Sequence, residues 1–528
     1  MTDFQVICGR AVLLPDGTIG DALLVRGGTI VAVGTEAELL DRLPAGVECD
    51  VDAYPGCFIL PGMRDSHLHP VAYTSLLSGV SLHAAASMAE LQQIIAAAAQ
   101  RPGLITAGNL NEATLEEKRL PVAADLDVAV ADRPVIVNRY DGHLAIVNSA
   151  ALAAAGIGPD TPDPDGGIID RDEAGRPTGV LRETAIDLVG GACGDDGSVQ
   201  PEAVARSLRG LAQLGITSIG AMVRSGAGAW AHLGDEVEVI TAAAQDIPIR
   251  VHAFVTADNL ATLEEAAAKL DDAGERMDWA GVKRFGDGSF GAFTAAMFEP
   301  FTDSPGSTGT MRLNDLDITM AHTSVAAGRA VAIHAIGDAA AARVLDVFEH
   351  LVSEGTEPHR LRLEHASVLA EEDIDRIGRL GIVASVQPAF LGSETDWIEN
   401  RVGPERLRRT YAFATMRRVG AIVVGGSDSP VEAPNPWEAM ALARDRAGIV
   451  LEEALSAAEA LEMYTTAAAQ ALGEPPPLAV GSPADLAVVD RDPLAATPDE
   501  LRATEVLATY VAGEMVDITG SGPWWLTD

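Results

Sequence analysis

Two histidines stand two residues apart, His67 and His69, in the run Pro61-Gly62-Met63-Arg64-Asp65-Ser66-His67-Leu68-His69-Pro70. In an extended segment, residues i and i+2 face the same way, so both imidazoles can reach one metal ion. Imidazole suits zinc, iron, nickel and related ions. Taken alone, such a pair reads as surface or packing histidines. Lys283 closes an apolar run in Val282-Lys283-Arg284-Phe285-Gly286-Asp287-Gly288-Ser289. A protonated ammonium cannot ligate a metal. Desolvation and neighbouring cations push an amine toward its neutral form. A neutral amine can take up carbon dioxide and become a carbamate, an anion able to bridge two metals. The plainer alternative is a lysine paired with Asp287. Only three lysines occur, Lys118, Lys269 and Lys283, so one in this place stands out.

Three further groups stand at the end of a strand-like run or just past one. They are His334 in Val331-Ala332-Ile333-His334-Ala335-Ile336-Gly337-Asp338, His365 in Leu361-Arg362-Leu363-Glu364-His365-Ala366-Ser367, and Asp428 in Val424-Gly425-Gly426-Ser427-Asp428-Ser429-Pro430. The glycines before Asp428 let the backbone approach its neighbours closely.

Positioning these groups falls to a series of strand-like runs alternating with Ala/Leu-rich helical runs, which predicts a parallel sheet. The eight candidate strands are Cys57–Leu60, Gly215–Gly220, Ile247–Val255, Trp279–Phe285, Ala330–His334, Leu361–His365, Gly381–Val386 and Ala421–Gly425. Eight parallel strands with crossover helices close most economically into an α/β barrel of the (β/α)8, TIM type. An open doubly wound sheet is disfavoured, since no G-x-G-x-x-G follows any strand. The four histidines, the lysine and the aspartate then fall at the C-terminal ends of strands one, four, five, six and eight, which share one barrel mouth.

Both ends of the chain read as short strands separated by turns, and predict one small composite β-sandwich. Residues 1–60 would give its first part, 61–470 the barrel, and 471–528 its second part. About 150 residues separate strands one and two, so roughly 83–199 reads as an insertion over the active-site face. The chain has 528 residues, 48% of them hydrophobic, and a formal charge of −40. Such a charge disfavours nucleic-acid and anionic-membrane partners, and the 4% aromatic share argues against a base-stacking surface. No secretory signal or membrane-length apolar run is visible, and the four cysteines lack C-x-x-C spacing, so a reduced, cytoplasmic protein is expected. Oligomeric state is left open, a homodimer included.

The chain resembles the amidohydrolase superfamily, and within it the amidohydrolase-3, YtcJ-like group, over nearly its whole length. His67, His69, Lys283, His334, His365 and Asp428 match the superfamily pattern. Asp141-Gly142-His143, Gly166-Gly167-Ile168, His334-Ala335-Ile336-Gly337-Asp338, Ser427-Asp428-Ser429-Pro430 and Gly481-Ser482-Pro483-Ala484-Asp485-Leu486 match the narrower group. One departure is Ala107-Gly108-Asn109-Leu110-Asn111-Glu112, where many members carry a Gly-Trp pair.

The resemblance implies one or two divalent metals, most often zinc. His67, His69 and Asp428 would hold the more buried ion, His334 and His365 the other, and carboxylated Lys283 would bridge them. Asp428 would move the proton of the attacking water, and His143 would hydrogen-bond the developing oxyanion. Asp65 and Asp287 would orient His67 and Lys283 from behind. The expected function is hydrolysis of a non-peptide C–N bond in a small amide, such as an N-substituted formamide or N-acyl amine. A cyclic amidohydrolase, a deaminase or a lactonase would need only a different pocket, and a non-catalytic binding barrel would be expected to have lost ligands. Specificity should lie in the insertion and in the loop from Gln387 to about Tyr411, where Trp397 is either a pocket wall that binds substrate or an anchor for the loop.

Overall fold

The computed structural model describes residues 4–518, apart from 45, 101–102, 113, 140–141, 165, 191, 194–198 and 227–233. Eight parallel strands pair in sequence order: Met63–Leu68, Ile216–Ser225, Arg250–Ala257, Met277–Phe285, Ala330–Ala335, Leu361–His365, Val383–Val386 and Ile422–Gly425. The last meets the first through a parallel bridge between Leu68 and Ser429 and through the Asp428 amide donating to the His67 carbonyl at 2.7 Å. Helices such as Asp338–Ser353 bury one stripe, including Ala341, Val344, Leu345 and Phe348, against the barrel.

The first barrel strand differs from the expectation. Cys57–Leu60 does not enter the barrel. Phe58–Pro61 pairs instead with Leu486–Val489 in a second sheet, and the chain enters the barrel only after Gly62. Met63–Leu68 escapes an apolar pattern because Arg64, Asp65, Ser66 and His67 are all buried in it.

The second sheet draws Phe4–Leu14, Gly17–Arg26, Thr29–Gly34, Cys49–Ala53 and Phe58–Pro61 from early in the chain. It adds Leu486–Val489, Val506–Val511 and Glu514–Met515 from late in it. Alternation puts Ile7, Leu23, Ile59, Leu486, Val488 and Tyr510 in one apolar cluster, and Val6, Cys8, Ala22 and Leu24 in another. Arg250, at the start of the third barrel strand, ties the barrel to this sheet through Asp485 at 2.6 Å. Cys8, Cys49, Cys57 and Cys193 are free thiols, and no helix among the described residues is long and apolar enough to cross a membrane.

Between the first and second barrel strands lies a six-stranded mixed sheet of Val80–Ser81, Ile105–Leu110, Val135–Arg139, Leu144–Val147, Gly167–Arg171 and Pro177–Glu183. It has its own core around Leu91, Ile95, Leu126, Val135 and Ile146.

The N-terminal ends of barrel strands one to four are clamped by charge. Glu474 takes Arg64 at 2.7 Å and His252 at 2.9 Å, and the other ring nitrogen of His252 meets Asp278 at 2.7 Å. Burial alone would lower the His252 pKa, but the two carboxylates raise it to about 9. A histidine raised above its unfolded value adds stability that is complete below about 6.5 and is lost as pH rises through about 9. Denaturation midpoints measured from pH 7 to 10 should therefore fall, by on the order of 2 kcal/mol in stability. His252→Gln should flatten that slope, and an unchanged slope would remove His252 as its cause.

Candidate active site

Each predicted ligand sits at the C-terminal mouth of the barrel or just beyond a strand. His67 and Lys283 lie within strands one and four, with Lys283 Nζ 3.2 Å from His67 Nε2. Asp428 Oδ1 lies 3.2 Å from both His67 Nε2 and His69 Nε2. The His365 ring stands 5.0 Å from that of His67 and 4.4 Å from that of His334. His365 and Asp428 hold left-handed backbone angles, φ +71° and +57°. Such angles are costly for a residue with a side chain and collect at functional sites. Gly426 makes the Asp428 turn feasible, since a Cβ there would meet the His67 amide nitrogen at 2.7 Å.

Carboxylates and an amide fix the rings from behind. His67 Nδ1 pairs with Glu364 at 2.6 Å, and Glu364 is also bound by Arg362 at 2.8 Å, all with fully buried side chains. His365 Nδ1 pairs with Gln387 Oε1 at 2.8 Å. An imidazole whose Nδ1 is so held presents Nε2 outward. Asp65 accepts the backbone amides of His67 at 3.1 Å and Ser427 at 3.0 Å, joining strand one to the loop after strand eight. Asp287 does not take the expected place behind Lys283. It accepts the amides of Ala296, Ile336 and Gly337 at 2.8, 3.0 and 2.8 Å, which fixes the loop after His334.

The insertion contributes His143, whose ring lies 5.5 Å from that of His334. Its Nδ1 meets Glu183 at 3.0 Å, and Glu183 also binds Arg312 at 2.9 Å. Asp141, in the same motif, lies outside the described residues. Trp397 does not line the cavity described below. Its indole nitrogen donates to the Ser393 carbonyl at 3.2 Å, Arg401 lies over its ring, and it packs beside Phe290 and Ile398. It therefore anchors its loop, and the expectation of a substrate wall is corrected. Glu364, Gln387 and Glu183 were not anticipated. The signal for Glu364 was its place next to His365 on an apolar strand.

The electrostatics suit a metal. Burial and the neighbouring cationic groups hold the His334 imidazole well below its usual range and bring His365 down to about 3, so both rings are neutral. Burial, helped by Arg362, lowers Lys283 to about 8 against the opposing pull of Glu364 and Asp428. Burial would raise Asp428, but His67 and His69 outweigh it and keep the carboxylate ionised. Nitrogen and oxygen donors of His67, His365 and Asp428 lie within 4.8 Å of one another. The His67 ring, a neutral His365 ring and one ionised carboxylate at that spacing fit a divalent ion.

A cavity of about 400 Å³ opens above these groups. His69, Lys283, His334, His365 and Asp428 form its floor, and Ala107, Gly108 and Asn109 stand in its wall. The stretch that departs from the group pattern thus faces the site.

The model of the amidohydrolase family matches residues 51–517, and the chain belongs to that family. A bacterial imidazolonepropionase-like composite domain matches residues 22–45, within the second sheet and the helix after it. The chain is 30% identical to the putative amidohydrolase YtcJ of Bacillus subtilis (strain 168), over 96% of this chain and 97% of that one. It falls in the amidohydrolase-3, YtcJ-like group. It is also 30% identical to an N-substituted formamide deformylase of Arthrobacter pascens, over 95% of each chain. Among solved structures, an uncharacterized metal-dependent hydrolase from Pyrococcus horikoshii OT3 superposes with a TM-score of 0.75 at 26% identity, covering 94% of this chain and 99% of that one.

Proposed function

We propose that this protein hydrolyses the C–N bond of a small, non-peptide amide, of the N-substituted formamide or N-acyl amine kind, with one or two divalent ions, zinc foremost, as cofactor. The convergence of neutral histidines, an ionised aspartate and a lysine of lowered pKa on one cavity floor carries this reading. The likeness to a formamide deformylase supports the bond type.

His67, His69, His365 and Asp428 would hold one ion, and His334 with carboxylated Lys283 would help hold a second. A bound divalent ion supplies Lewis acidity, polarising a carbonyl and easing ionisation of water near neutral pH. Asp428 takes the proton of the attacking water as its oxygen bonds to the acyl carbon. The same carboxyl group then gives that proton to the nitrogen as the C–N bond breaks. One amide and one water become one carboxylic acid and one amine. His143, held by Glu183, donates to the oxygen on which charge develops.

Elemental analysis of protein expressed with added zinc and bicarbonate tests this. We expect about two equivalents of metal per protomer, loss of N-formyl amine hydrolysis on chelation and its return on reloading. About one equivalent would confine Lys283 to an unmodified role. Protein that stays metal-free after reloading would sink the reading.

A further inference from the structure

A second group of metal-type donors stands on the outer flank of the barrel. His322 lies on the helix Asp315–Ala326, and His350 on the helix Asp338–Ser353. Glu354 follows that second helix with its backbone still helical, so His350 and Glu354, four apart, share one face. The two helices stand before and after strand five, Ala330–Ala335. Each runs back from the mouth toward the end where the next strand begins. Leu316, at the start of the first helix, lines the cavity, and His322 is nearly two turns further on. The group therefore lies away from the cavity floor and shares no residue with the cavity lining. Beneath it, Met320, Ala321 and Ser324 of one helix and Val347, Phe348 and Leu351 of the other are buried, which fixes both backbones.

The spacing of the donors is informative. His322 Nδ1 stands 3.3 Å from one Glu354 carboxylate oxygen, and His350 Nε2 stands 3.4 Å from the other. A charge-assisted N–H···O contact closes to about 2.7–2.9 Å, so neither pair has drawn together as a direct ion pair would. Zinc bonds of about 2.0–2.2 Å to nitrogen and oxygen, set tetrahedrally, hold neighbouring donors roughly 3.3–3.6 Å apart. One donor atom from each of the three residues lies within 4.8 Å of the others. The two rings meet edge to face, 71° between planes and 5.8 Å between centroids. Two imidazoles and a carboxylate are a donor set that zinc takes, whereas magnesium and calcium call for oxygen ligands. The three side chains are 36%, 62% and 49% exposed, so an ion can enter. A formal charge of −40 draws cations to the surface.

We propose that His322, His350 and Glu354 form a further divalent-cation site, of the zinc rather than the magnesium or calcium type, which ties the helix before strand five to the helix after it. Water completes the coordination. Being open to solvent, the site releases its ion on desalting, so it adds to the metal count only with zinc in the surrounding buffer. Equilibrium dialysis of the full-length, metal-loaded protein against zinc, and separately against magnesium, tests the site, with thermal unfolding beside it. We expect about one equivalent of zinc per protomer more in the parent than in His350→Ala, a difference that holds whatever the active site takes up. Removing one of three ligands held in place should weaken that uptake by about 100-fold. Zinc should raise the unfolding midpoint of the parent more than that of the variant, since the ion binds only the folded arrangement. His322→Gln should repeat both results from the other helix, and magnesium should give neither. Equal zinc content in the parent and both variants, weakening of less than about tenfold in each, or magnesium held as tightly as zinc would overturn the site. Loss in His350→Ala but not in His322→Gln would confine the ion to one helix and overturn the tie between the two.

Discussion

Asp428→Asn is expected to lose about a thousandfold or more in kcat while remaining folded. The asparagine keeps the size of the side chain, and asparagine tolerates the left-handed backbone that Asp428 adopts at φ +57°. What it loses is the charge that meets His67 and His69 at 3.2 Å and the capacity to accept a proton from water. Proton transfer by a positioned group contributes roughly 10²- to 10⁴-fold. A thousandfold loss corresponds to about 4 kcal/mol of barrier. Circular dichroism and metal content should be measured on the same preparation. Turnover within tenfold of the parent protein, at equal metal content, would remove Asp428 from the proton path.

Glu364→Ala should produce the largest loss of stability among substitutions that touch no substrate. Glu364 lies between Arg362 and His67, and none of the three side chains reaches solvent. Arg362 also donates to the Ser66 carbonyl at 2.7 Å, so it holds strand one as well as its own strand. Removing the carboxylate leaves a buried guanidinium without its counter-charge, which typically costs about 3–5 kcal/mol. It also frees the His67 ring, and loss of such a support lowers metal affinity by roughly 10- to 100-fold. Urea denaturation and metal retention on dialysis should fall together. Glu364→Gln, which keeps the shape and loses the charge, should fall between the two. A Glu364→Ala protein as stable and as metal-retentive as the parent would show that Arg362 finds another partner.

How much of this was legible beforehand depends on what burial hides. His334 lies in a strand whose other residues are plainly apolar, and Lys283 follows the apolar stretch Trp279–Val282, so their placement followed from pattern. Strand one did not, because its side chains are polar and yet buried. Polar residues vanish from a hydrophobic pattern when they satisfy one another inside the barrel. Arg362 and Glu364 mislead in the same way. They alternate with Leu361 and Leu363 as the outward face of an ordinary strand would, but both have 0% exposure. In the insertion, Val135–Arg139 was recognisable as a strand, whereas Gly167–Arg171 and Pro177–Glu183 carry the glycine, proline and charge that usually mark loops. The role of Trp397 turns on which partners its ring meets, and composition holds no record of that. Asp287 was chosen for its nearness to Lys283 in sequence, but three backbone amides compete for its oxygens and win.

The pairing of Phe58–Pro61 with Leu486–Val489 has a consequence for the order of assembly. The early strand runs straight into the segment bearing His67 and His69, and its partner is made more than four hundred residues later. At typical rates of about 5–20 residues per second, that partner leaves the ribosome tens of seconds after the histidines do. Through that interval the edge of Phe58–Pro61 that later meets Leu486–Val489 lacks its native neighbour, so the N-terminal end of barrel strand one gains this support late in synthesis. A ribosome stalled before residue 486 therefore holds a chain in which every histidine is made but the entry to barrel strand one is not yet paired with Leu486–Val489.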